Sequence, residues 1–143
     1  VAVAESCTAG LVGHKLTSVS GSSAVFPGGV IAYSNEAKTR ELGVPADLLS
    51  RVGAVSEEVA RAMAEGVRRR WAADYGLALT GIAGPSGGTE QKPVGLVYAA
   101  LADARGVEVR PFRFAGNRAI IKEMSTQSAL HLLRRRILEE ATP

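Results

Sequence analysis

The chain has 143 residues, of which 46% are hydrophobic and 22% are charged. This composition is typical of one folded globular domain and excludes a disordered or fibrous protein. The single cysteine excludes an internal disulfide, no apolar run is long enough to span a membrane, and the net charge of +3 is only mildly basic.

The first half of the chain alternates between strand and helix patterns. A short apolar run at residues 1–4 predicts a buried strand, and residues 30–34 predict a second one. Apolar residues on one helix face follow the first strand, at Val12, Leu16 and Val19. A short helix over 35–43 follows the second strand, with Asn35 as its N-cap and Gly43 just beyond its end.

The second half is predicted to hold two longer helices and a third strand. Ser56 begins the clearest helix, because two glutamates occupy the first turn and apolar residues recur at every fourth position up to Trp71. Residues 75–80 predict the third strand. Asn117 is expected to cap a last helix that runs to about Glu140.

A hairpin is predicted between the third strand and the last helix, over 94–102 and 107–114. Pro111 cannot donate to a strand ladder, which indicates an edge strand or a bulge. The alternation of strands and helices in the first half indicates parallel strands. The hairpin indicates an antiparallel element. The sequence therefore predicts an α/β fold, a three-layer α/β/α sandwich with a single mixed, mostly parallel sheet of about five strands. We expect residues 1–143 to form a single domain. Because the chain opens inside a strand, we also expect that an upstream helix or a fused N-terminal domain is missing from it.

Three polar or glycine-rich stretches follow the predicted strands, at residues 5–10, 34–38 and 80–88. In open α/β sheets, ligands bind at the carboxyl ends of the strands. Parallel strands would bring the three stretches to one edge of the sheet, where we expect the functional site.

Two rival nucleophiles lie side by side after the first strand. Ser6 stands at a helix start, where free backbone N–H groups could stabilise an oxyanion, but serine needs a base. The two histidines, His14 and His131, are poorly placed for this task, and we expect them to be surface or packing residues. Cys7 could form an activated thiolate at the helix start, although a lone cysteine beside an apolar strand is more often buried packing.

A candidate base follows the second strand, where Lys38 lies one helical turn beyond Tyr33. Serine–lysine pairs are a known variant of the catalytic triad, and partial burial would lower the pKa of such a lysine. From spacing alone, a surface lysine and a half-buried strand aromatic are favoured over a catalytic pair.

The remaining motifs are weaker. The glycine-rich loop at 81–88 does not match the known phosphate-binding patterns, whereas Asn117 and Arg118 form a second candidate phosphate site at a helix start. The arginine triplets at 68–70 and 134–136 fall near helix ends, which favours solvated helix termini over a nucleic-acid patch. No His, Cys, Asp or Glu cluster has metal-ligand spacing, so we expect no metal.

Several long motifs give the sequence a family resemblance. They read AESCTAGL, FPGGVIAYSNEAKTRELGV, GAVSEEVARAMAEG, TGIAGPSGGTEQKPVGLVY and FAGNR. Together they resemble the CinA C-terminal domain family, which is also the nicotinamide mononucleotide amidohydrolase (deamidase) family, and they run through almost the whole chain. The sequence departs from the family pattern at Ala9, where glycine is usual, and mildly at Asn117, where aspartate often stands.

The resemblance implies hydrolysis of the carboxamide of nicotinamide mononucleotide to nicotinic acid mononucleotide and ammonia, without a cofactor. It implies Ser6 as the nucleophile, with Tyr33 and Lys38 as the other catalytic residues, which reverses the preference from spacing. The positions expected to contact the substrate are Thr8, Gly10, Gly28, Asn35, Thr80, Gly81, Gly84 and Arg118.

The resemblance also bears on partners. We expect a cytoplasmic homo-oligomer, a dimer or larger, that acts on a small nucleotide. A fused N-terminal nucleotide-processing domain is a further possible partner. We expect contact neither with a membrane nor with nucleic acid. The alternative is a catalytically weak or inactive regulatory or dimerisation domain of a larger competence/damage-inducible CinA-type protein, one that could contact nucleic acid.

Overall fold

The computed structural model describes residues 1–141, so the last two residues of the expected domain 1–143 lie outside the described residues. Within that range the strands are β1 (Ala2–Glu5), β2 (Gly28–Ile31), β3 (Gly76–Gly81), β4 (Leu96–Asp103) and β5 (Gly106–Arg113). They form one sheet in the order β2-β1-β3-β4-β5. β1 is parallel to β2 and β3, and β4 is antiparallel to both of its neighbours. Four strands therefore share one direction, which confirms the mixed, mostly parallel sheet.

Helices cover both faces of this sheet. They are α1 (Leu11–Thr17), α2 (Asn35–Leu42), α3 (Ala46–Val52), α4 (Glu57–Trp71) and α5 (Arg118–Ala141), with a short 3-10 turn at Ser22–Ala24. One buried core joins the sheet to α2, α3 and α4, and a second joins its other face to α1 and α5. The three-layer α/β/α arrangement is thus confirmed.

Strand β1 shows how the sequence makes two cores. Successive side chains of a strand point to opposite faces. Ala2 and Ala4 accordingly enter the core beneath α4, while Val3 enters the core beneath α5. Because the strand is buried on both faces, the residue that follows its end is held in a fixed position relative to both helix layers.

The main differences from the sequence prediction lie between β2 and α4. Helix α3 was not predicted, because its seven residues follow Gly43 and Pro45, which resemble a loop. The N-cap of α2 is Ser34 and not Asn35, since the Ser34 hydroxyl accepts a hydrogen bond from Ala37 N at 3.1 Å. Strand β2 begins two residues earlier than predicted and ends at Ile31.

Other predicted features are confirmed. The Ser56 hydroxyl accepts from Val59 N at 3.3 Å, and the Asn117 side chain accepts from Ile120 N at 3.0 Å, as expected of two N-caps. Pro111 lies on β5, which is an edge strand. None of the helices within residues 1–141 is both long enough and apolar enough to cross a membrane.

Candidate active site

The three stretches that follow β1, β2 and β3 meet in one cavity of about 200 Å³ at the carboxyl edge of the sheet. Ser6 comes from the turn after β1, Lys38 from α2, and Thr80 from the end of β3. Arg118, the first residue of α5, completes the lining from the opposite helix layer. The parallel pairing of β1 with its two neighbours produces this convergence, because it places three strand ends side by side.

Lys38 is buried in this cavity and contacts the serine. Its side chain is 1% exposed, and Ser6 is 8% exposed. Lys38 Nζ lies 3.1 Å from Ser6 Oγ, 2.9 Å from the carbonyl oxygen of Ala32 and 3.3 Å from that of Tyr33. The prediction of a surface lysine, which spacing alone favoured, is therefore wrong. The serine and the lysine named through the resemblance are neighbours.

Three oxygens surround the Lys38 amine, which can bond them with three N–H groups in its charged form and with two N–H groups and its lone pair in its neutral form. Burial lowers the pKa of Lys38 below its usual range, which favours the neutral form. In that form the two main-chain carbonyls can take only the N–H groups, because a carbonyl donates no hydrogen. The lone pair is then left for the hydroxyl hydrogen of Ser6, which is the geometry of a general base.

Glu5 was assigned no role by sequence reasoning, although it directly precedes the serine. Its carboxylate is buried and accepts hydrogen bonds from the Thr8 hydroxyl at 2.6 Å, from Val12 N at 2.9 Å and from Gly13 N at 3.0 Å. The available signal was an acidic residue at the end of an otherwise wholly apolar buried strand.

The mouth of the cavity is formed by Arg118 and Tyr33. Arg118 donates from Nη1 to the Gly84 carbonyl at 2.8 Å and from Nη2 to the Tyr33 hydroxyl at 3.2 Å. Tyr33 is 61% exposed, so it meets Lys38 through its main-chain carbonyl while its ring lies at the surface. Both partners of Arg118 are uncharged, and no carboxylate in residues 1–141 forms an ion pair with it. Its charge is therefore available to an anion.

The walls include other expected positions. Thr80 is buried, lines the cavity and donates its hydroxyl hydrogen bond to the Ala54 carbonyl at 2.8 Å. Asn35 and Gly81 also line it. Ala54 and Val55, from the connection between α3 and α4, form a wall that the sequence did not indicate.

Four expected substrate-binding positions do not line this cavity: Gly84, which bonds Arg118 at the mouth through its carbonyl, and Thr8, Gly10 and Gly28. Thr8 is buried and bonded to Glu5. Gly10 has a φ of 102° at the start of α1, a conformation that favours glycine. Gly28 begins β2, at the sheet edge opposite to the cavity, where an added Cβ would lie 2.5 Å from the Trp71 ring. These two glycines therefore serve backbone conformation and close packing here.

Cys7 lines the cavity but differs chemically from Ser6. It is 6% exposed, and burial raises the pKa of its thiol to about 11, although its own N–H acts in the opposite direction. A thiol with this pKa is almost entirely protonated near pH 7, which makes Cys7 a poor nucleophile. His14 and His131 are exposed residues of α1 and α5, as expected.

Both arginine triplets are largely engaged within the fold. Arg68 donates to the Asp74 carbonyl, and Arg70 pairs with Glu41. In the second triplet Arg135 and Arg136 share the carboxylate of Glu108, and Arg136 also reaches Asp103. Within residues 1–141, no group of three or more His, Cys, Asp or Glu side chains could hold a metal ion.

Comparison with known proteins gives one consistent family. The model of the CinA C-terminal domain matches residues 1–137. A CinA-like protein of Geobacter sulfurreducens is 55% identical over 138 residues, which are 96% of this chain and 33% of that protein. A CinA-like protein of Gemmatimonas aurantiaca is 56% identical over 143 residues, which are 99% of this chain and 33% of that protein. The chain thus spans about a third of the length of these curated relatives.

A solved structure agrees with the sequence relatives. The crystal structure of competence/damage inducible protein CihA from Agrobacterium tumefaciens superposes with a TM-score of 0.92 at 42% identity, covering 94% of this chain and 82% of that one.

Proposed function

The chain belongs to the CinA C-terminal domain family, and we propose that it hydrolyses the carboxamide of nicotinamide mononucleotide, giving nicotinic acid mononucleotide and ammonia. The observation that carries this proposal is the buried contact of 3.1 Å between Lys38 Nζ and Ser6 Oγ, in surroundings that lower the pKa of the lysine. A nucleophile and a base within hydrogen-bond reach are the signature of covalent acyl transfer.

The first half of the reaction forms an acyl-enzyme. Neutral Lys38 takes the hydroxyl proton of Ser6, and Ser6 Oγ bonds to the carboxamide carbon while the C=O π electrons move to the oxygen. N–H groups of the turn after Ser6 hold this oxyanion. The tetrahedral intermediate collapses, the C–N bond breaks, and the Lys38 ammonium returns its proton to the departing nitrogen, which leaves as ammonia.

The second half releases the acid. Lys38, neutral again, takes a proton from a water molecule that attacks the ester carbon. The C–Oγ bond then breaks, Lys38 returns the proton to Ser6, and nicotinic acid mononucleotide leaves. Tyr33 orients Lys38 through its carbonyl throughout, and its hydroxyl belongs to the mouth with Arg118.

The size of the cavity suits one end of the substrate. Ligand pockets for whole drug-sized molecules usually measure ~300–1,000 Å³. This cavity of about 200 Å³ is smaller, so we place the pyridine carboxamide inside it and the ribose and phosphate at its mouth. Arg118 stands there without an anionic partner among the described residues, and a phosphate can accept two parallel hydrogen bonds from one guanidinium.

The test is ammonia release from nicotinamide mononucleotide by the wild-type chain, by Ser6→Ala and by the control Ser50→Ala, whose side chain lies on the exposed surface of α3. We expect Ser50→Ala to match the wild type and Ser6→Ala to lose activity by at least ~10³-fold. Equal ammonia release from Ser6→Ala and the wild type contradicts the proposal. No release from the wild type, together with steeply salt-dependent binding of DNA or RNA, favours the non-catalytic module instead.

We also propose a homo-oligomeric assembly and, in a longer chain, an N-terminal nucleotide-processing domain. For the second of these, the coverage of only 33% of a relative's length supports the existence of longer chains in the family and no more. Mass measurement in solution tests the first.

A further inference from the structure

Glu5 carries a buried charge that the proposed reaction leaves unused. Its side chain is 1% exposed, and no lysine or arginine in residues 1–141 forms an ion pair with it. A buried carboxylate without a cation is costly unless hydrogen bonds satisfy it. Three donors do so, the Thr8 hydroxyl and the N–H groups of Val12 and Gly13.

These three bonds tie together both ends of the turn that carries the nucleophile. The two N–H donors belong to the first turn of α1, and the hydroxyl belongs to the second residue after Ser6. Thr8 is consequently fixed from a side chain at the end of β1, which is itself buried on both faces.

The bonds also decide which N–H groups remain for an oxyanion. In the first turn of α1, Glu5 occupies the N–H groups of Val12 and Gly13, and Leu11 N donates to the Thr8 carbonyl at 3.1 Å. Within the turn, Ser6 N donates to Leu79 O at 3.1 Å, and Ala9 N donates to Ser6 O at 3.1 Å. Among the described residues, the N–H groups of Cys7 and Thr8 have no oxygen acceptor.

We propose that Glu5 is the positioning residue of the nucleophile turn. It holds the Thr8 N–H, and with it the Cys7 N–H, where the oxyanion develops, and it occupies the helix N–H groups that would otherwise compete for that oxyanion. Glu5 acts through Thr8 and touches no reacting atom. This inference rests on the proposed acyl transfer at Ser6.

The chain offers closely matched variants. Thr8→Val keeps the branched shape and removes the hydroxyl that binds Glu5, whereas Thr8→Ser keeps the hydroxyl. Thr17→Val is the control on the same helix, because the Thr17 hydroxyl bonds only to carbonyls of α1. Glu5→Gln is the second probe, since its amide NH₂ accepts no hydrogen bond and its single oxygen cannot serve all three donors.

The experiment measures kcat and KM for ammonia release from nicotinamide mononucleotide, with the folded fraction checked by circular dichroism. Misplacing an oxyanion donor removes an interaction made only in the transition state. We expect Thr8→Val to lower kcat by ~10–100-fold with KM within ~3-fold of the wild type, because a misplacement of ~1 Å costs up to ~10²-fold. For Thr8→Ser and Thr17→Val, kcat and KM should stay within ~3-fold of the wild type. That margin is small against the ~10–100-fold loss of kcat expected for Thr8→Val. Glu5→Gln should follow Thr8→Val where it folds.

A second readout separates this inference from the choice of substrate. A fluorophosphonate reagent phosphonylates activated serines: the serine oxygen bonds to phosphorus and fluoride leaves. The gain in intact mass that is absent from Ser6→Ala gives the rate of this labelling at Ser6. Slower labelling of Thr8→Val but not of Thr8→Ser supports the inference even if nicotinamide mononucleotide is not hydrolysed. The inference is overturned if Thr8→Val keeps the wild-type kcat and labelling rate, or if its loss equals the fall in folded fraction and appears equally in Thr17→Val.

Discussion

Replacing Lys38 with methionine removes the amine from the cavity while keeping an unbranched chain in the same buried space. Lys38 is the one basic side chain that contacts Ser6 within residues 1–141. Without it the hydroxyl has no proton acceptor, and we expect kcat/KM for ammonia release to fall by at least ~10³-fold, or about 4 kcal/mol of transition-state stabilisation.

A double variant gives the sharper measurement. If Lys38 acts only by activating Ser6, removing both residues should cost no more than removing either, within ~3-fold, because members of a catalytic unit are not additive. Lys15→Met is the control, since Lys15 forms a surface ion pair with Glu123 outside the cavity. Losses that multiply in the double variant would refute the assignment of Lys38 as the base.

The pH dependence has a defined sign. The base must be neutral, so kcat/KM of the wild type should rise with pH and level off at the lowered pKa of Lys38, below the ordinary lysine value of about 10.4. The unfolded chain binds a proton at Lys38 in the window between these two pKa values, and the folded chain does not. The free energy of unfolding should therefore rise with pH across that window, and Lys38→Met should lose this contribution. An unchanged rise of kcat/KM with pH in Lys38→Met would count against the mechanism.

Three further outcomes are expected. Arg118→Met should raise KM for nicotinamide mononucleotide by ~10–100-fold but have little effect on nicotinamide riboside, which lacks the phosphate; equal losses on both would place the phosphate elsewhere. Cys7→Ala should keep kcat within ~10-fold in the ammonia assay, because its thiol has a pKa of about 11 and the role proposed for Cys7 lies in its main-chain N–H; a loss as large as that of Ser6→Ala would restore the thiol as a rival nucleophile. Gly28→Ala should lower stability to urea by ~1–3 kcal/mol through overlap with Trp71 and leave KM unchanged; a raised KM in the folded variant would return Gly28 to the substrate site.

The location of the site could be predicted from the sequence because it depends only on topology. Alternating strands and helices imply parallel neighbours, and parallel neighbours bring their carboxyl ends to one edge. The burial of Lys38 could not be predicted in this way. Its helix is short and polar, and the same residues would fit a surface helix. The lysine is buried because its side chain turns back to the carbonyls of Ala32 and Tyr33, contacts that exist only once β2 is paired with β1.

Gly28 illustrates a different limit of the sequence. The resemblance places this glycine among the substrate-binding positions, whereas the structure shows it beneath the Trp71 ring at the other edge of the sheet. A sequence motif contains residues that the fold requires and residues that the chemistry requires, and the motif alone does not tell the two apart. Glu5 was overlooked for a related reason, since a single acidic residue at a strand end gives no sign of the three donors that surround it.

Ala9 is the point where this chain departs from the glycine usual in the motif, and the structure shows a cost. Its φ is 48°, in the left-handed region, where a Cβ adds ~1–2 kcal/mol of strain. Glycine would relieve that strain. It would also lower the free energy of unfolding by ~0.4–1 kcal/mol, because it increases the conformational entropy of the unfolded chain. We expect Ala9→Gly to gain about 0.5–1 kcal/mol, which raises Tm by ~2–4 °C for a domain of this size.

Ala72 provides the matched control for this prediction. It has a φ of 47° at the end of α4, away from the cavity, so Ala72→Gly relieves the same strain without altering the nucleophile turn. Both variants should raise Tm in a thermal melt and keep kcat within ~2-fold, because neither removes a transition-state contact. A rise for Ala72→Gly together with a fall for Ala9→Gly would show that the alanine methyl packs usefully in the turn. In that case the strain at Ala9 is offset by contacts, and the departure from glycine costs this chain nothing.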